Sequence, residues 1–166
     1  PLWFAHRFYY RKLVVLGKEN IPKNKPVFLA PNHQNAVMDA VALVFTTPQQ
    51  PFFMSRADVF KKGIITSILH WLKIVPIWRI RDGAENLQNN SEIFNLAVEV
   101  LKKNLTVSTF PEGQHTSKRS LQPIKKGVMR IVSEAESRND FSLNVQIIPV
   151  GIYYNNYFHS GKYLMV

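Results

Sequence analysis

The sequence predicts an α/β fold: a single domain with a mostly parallel, mixed sheet flanked by helices. Three observations carry this. From Val27 onward, short apolar runs alternate with longer amphipathic ones, the pattern of helices crossing over between parallel strands. The chain has 166 residues, the size of one ordinary domain with a core of its own. No run of 18 apolar residues occurs, since the nearest candidate, 64–78, is broken by His70, Lys73 and Pro76.

In chain order, residues 1–16 mix Trp3, Phe4, Phe8, Tyr9 and Tyr10 with Arg7, Arg11 and Lys12. They predict an N-terminal amphipathic helix, packed on the core or lying at a membrane interface, where aromatic rings and cations meet headgroups. Strands are predicted at 27–30, 51–55, 74–78, 105–110 and 145–154 from their short apolar runs. A helix is expected to begin near Asn35 and run towards Phe45. Phe60, Ile64, Ile65, Ile68, Leu69 and Leu72 recur at helical spacing and predict a second. Ile93, Phe94, Ala97, Val98 and Leu101 predict a third, with Asn90 or Ser91 as N-cap and Lys102 and Lys103 at the end that favours cations. Val128, Ile131, Val132 and Ala135 mark a fourth. The chain starts at Pro1 and stops after a strand-like run, which reads as a piece of a longer protein: segment 1–16, then a domain over 17–166 truncated at its C-terminus.

Composition narrows the chemistry. Apolar residues make up 46% and charged residues 19%, which argues against a disordered chain. Lys and Arg number 21 against 11 Asp and Glu, so the formal charge is +10 and the natural partners are anions. There is no cysteine, hence no disulfide framework, thiolate nucleophile or Cys-based zinc site. The serine nucleophile elbow, the Walker phosphate loop and the dinucleotide glycine fingerprint are absent, and the five histidines lack the paired spacing of a metal site.

Two polar clusters follow predicted strands, where open α/β sheets place their sites. The first, residues 31–39, is PNHQNAVMD, in which His33 and Asp39 supply the minimum for a general base and its orienter. By itself it reads first as an N-capping Asn or His with an unrelated surface aspartate. The second, residues 110–117, is FPEGQHTS, in which Pro111 stiffens a turn, Gly113 permits close backbone approach and Glu112 offers a carboxylate. By itself it is a loop of ordinary turn residues.

Together the clusters resemble the PlsC-type glycerolipid acyltransferases, whose four ordered blocks are Asn-His-x4-Asp, a segment ending in Arg, Phe-Pro-Glu-Gly-Thr-Arg-Ser and a Val-Pro-containing strand. Asn32-His33 with Asp39 is similar to the first, residues 74–79 (IVPIWR) to the second, Phe110-Pro111-Glu112-Gly113 to the third and residues 147–150 (IIPV) to the fourth. Residues 16–22 (LGKENIP) resemble the usual lead-in, so the likeness covers about 16–154. Two departures stand out. Five residues separate His33 from Asp39 instead of four, and Gln114-His115 replaces Thr-Arg.

The resemblance implies a glycerol-phosphate acyltransferase-like fold and acyl transfer from a thioester, on CoA or acyl carrier protein, to the hydroxyl of a lysophospholipid such as lysophosphatidate. Glycerol 3-phosphate and a lyso-aminolipid are the alternative acceptors. It implies His33 as base, Asp39 as its orienter, Arg79 and Glu112 as acceptor ligands, and N–H groups near Gly113 as oxyanion donors. Arg79, Arg81, Lys118 or Arg119 would take the place of the missing arginine, with His115 contributing. No metal or cofactor is implied beyond the thioester co-substrate. An anionic membrane surface is the expected partner, met peripherally on its cytoplasmic face by aromatic stretches such as 3–10 and Phe52-Phe53. The rival readings are a lipid- or acyl-binding scaffold without activity and a nucleic-acid-binding domain suggested by the charge. No RNP-like, zinc-finger or helix-turn-helix signature accompanies that charge, so nucleic acid is not expected as a partner.

Overall fold

The computed structural model describes residues 10–56, 60, 67, 69, 71, 73–77, 87–116, 118–156 and 162–166. The elements whose bounds fall within the described residues are the strands β1 (Tyr10–Val14), β2 (Val27–Pro31), β3 (Phe52–Arg56), β4 (Ile74–Ile77), β5 (Thr106–Thr109), β6 (Gln146–Val150), β7 (Tyr153–Tyr154) and β8 (Lys162–Met165) and the helices α1 (Ala36–Thr46), α2 (Leu87–Lys102) and α3 (Gly127–Ser137). A short 3-10 turn covers Lys18–Asn20.

The main sheet has the order β4-β3-β5-β2-β6 and every pairing in it is parallel. Val27, Phe28 and Leu29 of β2 are all buried, as a strand covered on both faces requires. On one face α2 and α3 bury Ala97, Val98, Leu101, Val128, Ile131, Val132 and Ala135 with Phe28, Met54 and Val107. On the other, α1 brings Ala40, Val41, Ala42 and Leu43 together with Phe53, Ile74, Tyr10, Tyr154 and Leu164. The apolar stripe read for the fourth helix is therefore the buried stripe of α3. The stripe over 60–72 falls largely outside the described residues. Ser67, Leu69 and Trp71 are helical there, with Leu69 buried.

Four expectations change. Residues 10–14 are a strand rather than part of an amphipathic helix, and 1–9 lie outside the described residues. β1 pairs parallel with β8, and its register shifts between Tyr10 and Lys12. That bulge turns Arg11 and Lys12 both outward between buried Tyr10 and half-buried Leu13, so the inward residues stand three apart, as on a helix. Second, α2 begins at Leu87, so Asn90 and Ser91 lie inside it rather than at its cap.

Third, the run 145–154 is divided between two sheets. β6 is an edge strand, which tolerates Pro149 because that residue has no N–H to donate. Beyond Val150 the chain leaves the main sheet, and β7 pairs antiparallel with β8 in a separate sheet of order β1-β8-β7. Phe52 and Phe53 also leave the proposed membrane face: Phe53 is buried in one core cluster and Phe52 packs against the other. Among the described residues no helix is long and apolar enough to cross a membrane.

Candidate active site

β2 and β5 are adjacent and parallel, so the loops leaving their C-terminal ends meet. His33 follows β2 and Glu112 follows β5. The backbone N–H of His33 donates to Glu112 Oε1 at 3.0 Å, and Thr116 N donates to the carbonyl of His33 at 3.1 Å. Two sequence clusters 79 residues apart thereby form one site.

His33 Nδ1 lies 2.8 Å from Asp39 Oδ2. The same oxygen accepts the backbone N–H groups of Gln34 and Asn35, both at 2.8 Å, and Oδ1 accepts the Tyr154 hydroxyl at 2.7 Å. An oxygen already taking two amide hydrogens is an acceptor, so the Nδ1 proton belongs to the imidazole. Nε2 of the neutral ring then carries the free lone pair. Asp39 is fully buried in the first turn of α1, where the helix dipole favours an anion. The His33 ring stacks on Phe110, with centroids 3.9 Å apart and 16° between planes, and 15% of its side chain remains exposed. With one face on Phe110 and Nδ1 on Asp39, Nε2 is the nitrogen left for a substrate.

The five-residue spacing is absorbed before the helix. Asn35 has φ −137° and ψ 46°, and Ala36 has φ +44°, so the extra residue forms a tight turn and Asp39 still reaches the imidazole. A left-handed alanine is strained, whereas glycine accepts that backbone freely. Ala36→Gly should therefore raise stability by about 0.5–1 kcal/mol, net of glycine's extra entropy in the unfolded chain. Denaturant midpoints of the two proteins measure this, and a lower midpoint for the variant would contradict it.

Glu112 occupies a different position from that expected of an acceptor ligand. It is 2% exposed, and Oε2 accepts Gln122 N at 3.3 Å while Oε1 holds His33 N. With Lys125 N on the Pro111 carbonyl at 2.7 Å, this ties the long loop after β5 to the start of the first cluster. Glu112 acts as an internal strut. Gly113 sits at φ +69°, the left-handed region that favours glycine, and its N–H donates to the Phe110 carbonyl at 3.0 Å. That amide is closed to an oxyanion, whereas those of Gln114 and His115 donate to no described residue.

His115 is exposed and lies edge-on to His33, with centroids 5.5 Å apart. Arg119 lies over the Tyr153 ring and donates to the Tyr153 hydroxyl and the Asn155 carbonyl, which moors the loop to β7. Arg79 and Arg81 lie outside the described residues. Two further contributors emerge. Asn32, legible only as the first residue of the Asn-His block, grips Ile152 at both ends, accepting its N–H at 2.6 Å and donating to its carbonyl at 3.0 Å. Tyr154 is the other, and it carried no local signal: in the structure Ile152 and Tyr154 are buried on one side and Tyr153 is exposed on the other.

Residues 12–153 match the family profile described as Acyltransferase. The chain belongs to the acyltransferase family. This bears out the PlsC-type resemblance. A 1-acyl-sn-glycerol-3-phosphate acyltransferase of Brassica napus, the chloroplastic BAT2, is 27% identical over 135 residues, covering 80% of this chain and 37% of that protein. The 1-acyl-sn-glycerol-3-phosphate acyltransferase of Borreliella burgdorferi is 24% identical over 89% of this chain and 53% of its own length. The crystal structure of PlsC, the 1-acyl-sn-glycerophosphate acyltransferase of Thermotoga maritima, superposes with a TM-score of 0.62 at 22% identity, over 93% of this acyltransferase chain and 59% of that one. The likeness to PlsC establishes the shared fold. The chain spans between 37% and 53% of the length of these two curated relatives.

Proposed function

We propose that this chain is the catalytic domain of a lysophosphatidate acyltransferase, which moves a fatty acyl group from a CoA or acyl carrier protein thioester to the free hydroxyl of a lysophospholipid. The observation that carries the reading is the His33–Asp39 pair, poised with Nε2 free beside a loop held by Glu112. Nε2 takes the proton of the acceptor hydroxyl as its oxygen attacks the thioester carbonyl. The tetrahedral intermediate collapses with cleavage of the C–S bond, and the imidazolium returns the proton to the departing thiolate. Asp39 stabilises the imidazolium between these steps. No acyl-enzyme is needed, in keeping with a chain that has no cysteine and no serine elbow. Oxyanion stabilisation falls to the amides of Gln114 and His115, next in the loop after the engaged Gly113.

Arg79, with Arg81 and His115, is assigned to the acceptor's phosphate, a role that suits a guanidinium fork. The lipid is met at an anionic bilayer, peripherally and on the cytoplasmic side. The loop over 118–126 supports this reading: Leu121 and Ile124 are 66% and 64% exposed among Lys118, Arg119, Lys125 and Lys126, on a segment tied directly to Glu112.

The test is thiol release from an acyl-CoA with lysophosphatidate, glycerol 3-phosphate, a lyso-aminolipid or no acceptor, the lipids being presented in neutral or phosphatidylglycerol-containing vesicles. Release that requires lysophosphatidate and is faster on the anionic vesicles is expected. A stronger response to another acceptor would reassign the substrate, and a folded full-length protein that releases no thiol with any of them would overturn the reading.

A further inference from the structure

Asp39 is held from both sides. Oδ2 faces His33 and the two amides of the preceding turn, while the far oxygen, Oδ1, receives the hydroxyl of a residue 115 positions later in the chain. That residue, Tyr154, is fully buried and belongs to the small sheet. Its surroundings aim it. Asn32, next to His33, clamps Ile152 at N–H and carbonyl, and a strand residue two positions on faces the same side. On the other flank Tyr154 is in register with Leu164 of β8, and its ring centroid lies 6.0 Å from that of Tyr10 in β1. Burial above all, then the charge of Asp39, holds the phenol far above the ordinary tyrosine value of 10.0, so Tyr154 stays protonated and serves Asp39 as a donor.

We propose that Tyr154 is a positioning residue for acyl transfer, fixing Oδ1 so that Oδ2 stays aligned on His33 Nδ1, and that the β1-β8-β7 sheet is thereby part of the catalytic apparatus. A carboxylate held at one oxygen can swing about its Cβ–Cγ bond. Held at both, it can turn only by breaking the phenol bond together with the amide bonds. Phenylalanine at 154 retains the ring that packs beside Tyr10 and removes only the hydroxyl, so the variant separates orientation from packing. This inference rests on the reading of His33 as base.

The experiment compares the full-length protein with Tyr154→Phe in two measurements. In acyl-CoA thiol release with lysophosphatidate, kcat is expected to fall about tenfold with the acceptor KM unchanged, the scale on which orienting partners of a functional histidine act. By NMR, exchange of the His33 Nδ1 proton with water is expected to quicken by a similar factor while the melting curve stays cooperative. The exchange measurement needs no turnover, so it decides the role of Tyr154 even if lysophosphatidate proves to be the wrong acceptor. Unchanged exchange in the folded variant would overturn the proposal, as would an unchanged kcat.

Discussion

His33→Ala is expected to lower acyl transfer by about 10³-fold, the contribution of a well-placed general base, while the fold persists. The structural duties of residue 33 belong to its backbone, which donates to Glu112 and accepts from Thr116, and alanine keeps both bonds. The side chain gives up its stacking on Phe110 and its bond to Asp39, and Asp39 retains three of its four donors. Stability should therefore fall by about 2–3 kcal/mol, the worth of one hydrogen bond to a carboxylate together with the lost stacking. Thiol release and thermal denaturation of the same preparation check both halves. Turnover within tenfold of wild type would remove His33 from the role of base, and loss of the cooperative melt would leave the activity result without meaning.

Substitutions of Asp39 should separate geometry from charge. Asp39→Ala strands two backbone amides, a buried phenol and the imidazole N–H at once. A loss of about 3–5 kcal/mol is expected, enough to threaten a domain of ordinary stability. Asp39→Asn is predicted to behave differently. An asparagine carbonyl in the place of Oδ2 still accepts from Gln34, Asn35 and His33, and its amide meets the Tyr154 hydroxyl, which can accept. The reverse orientation would set an amide donor against two backbone donors, so the local backbone selects the side-chain flip that keeps the His33 tautomer. What is lost is the negative charge that steadies the imidazolium. The fall in kcat should be about a hundredfold, or ~3 kcal/mol of transition-state stabilisation. Urea midpoints and kcat for the two variants test this, and a near-equal effect of Ala and Asn on both would contradict it.

Much of the architecture is legible along the chain because it follows from local periodicity. The stripe of Val128, Ile131, Val132 and Ala135 can be buried only by a helix lying on a sheet, and α3 does so. The run 27–30 is apolar at successive positions because both faces of β2 are covered. β1 was not legible. Its bulge gives a strand the inward spacing of a helix, and its partner β8 lies at the opposite end of the chain. The end of β6 was hidden for a related reason: the apolar pattern continues through Ile152, while the hydrogen bonds of that residue are taken by the side chain of Asn32, 120 positions earlier.

The site divides in the same way. Sequence alone determined the family and singled out His33 and Asp39 as the residues proposed to react, because chemistry depends on residue type and a short motif preserves type and spacing. Tertiary structure decided how those residues are used. It absorbed the extra residue in a left-handed turn at Ala36, placed Glu112 inside as a strut instead of outside as a ligand, engaged the Gly113 amide and brought Tyr154 to the far side of Asp39. Each of these depends on where a buried polar group finds its partner. Such partners lie up to 120 residues apart in the chain, and only the folded backbone brings them within hydrogen-bonding distance.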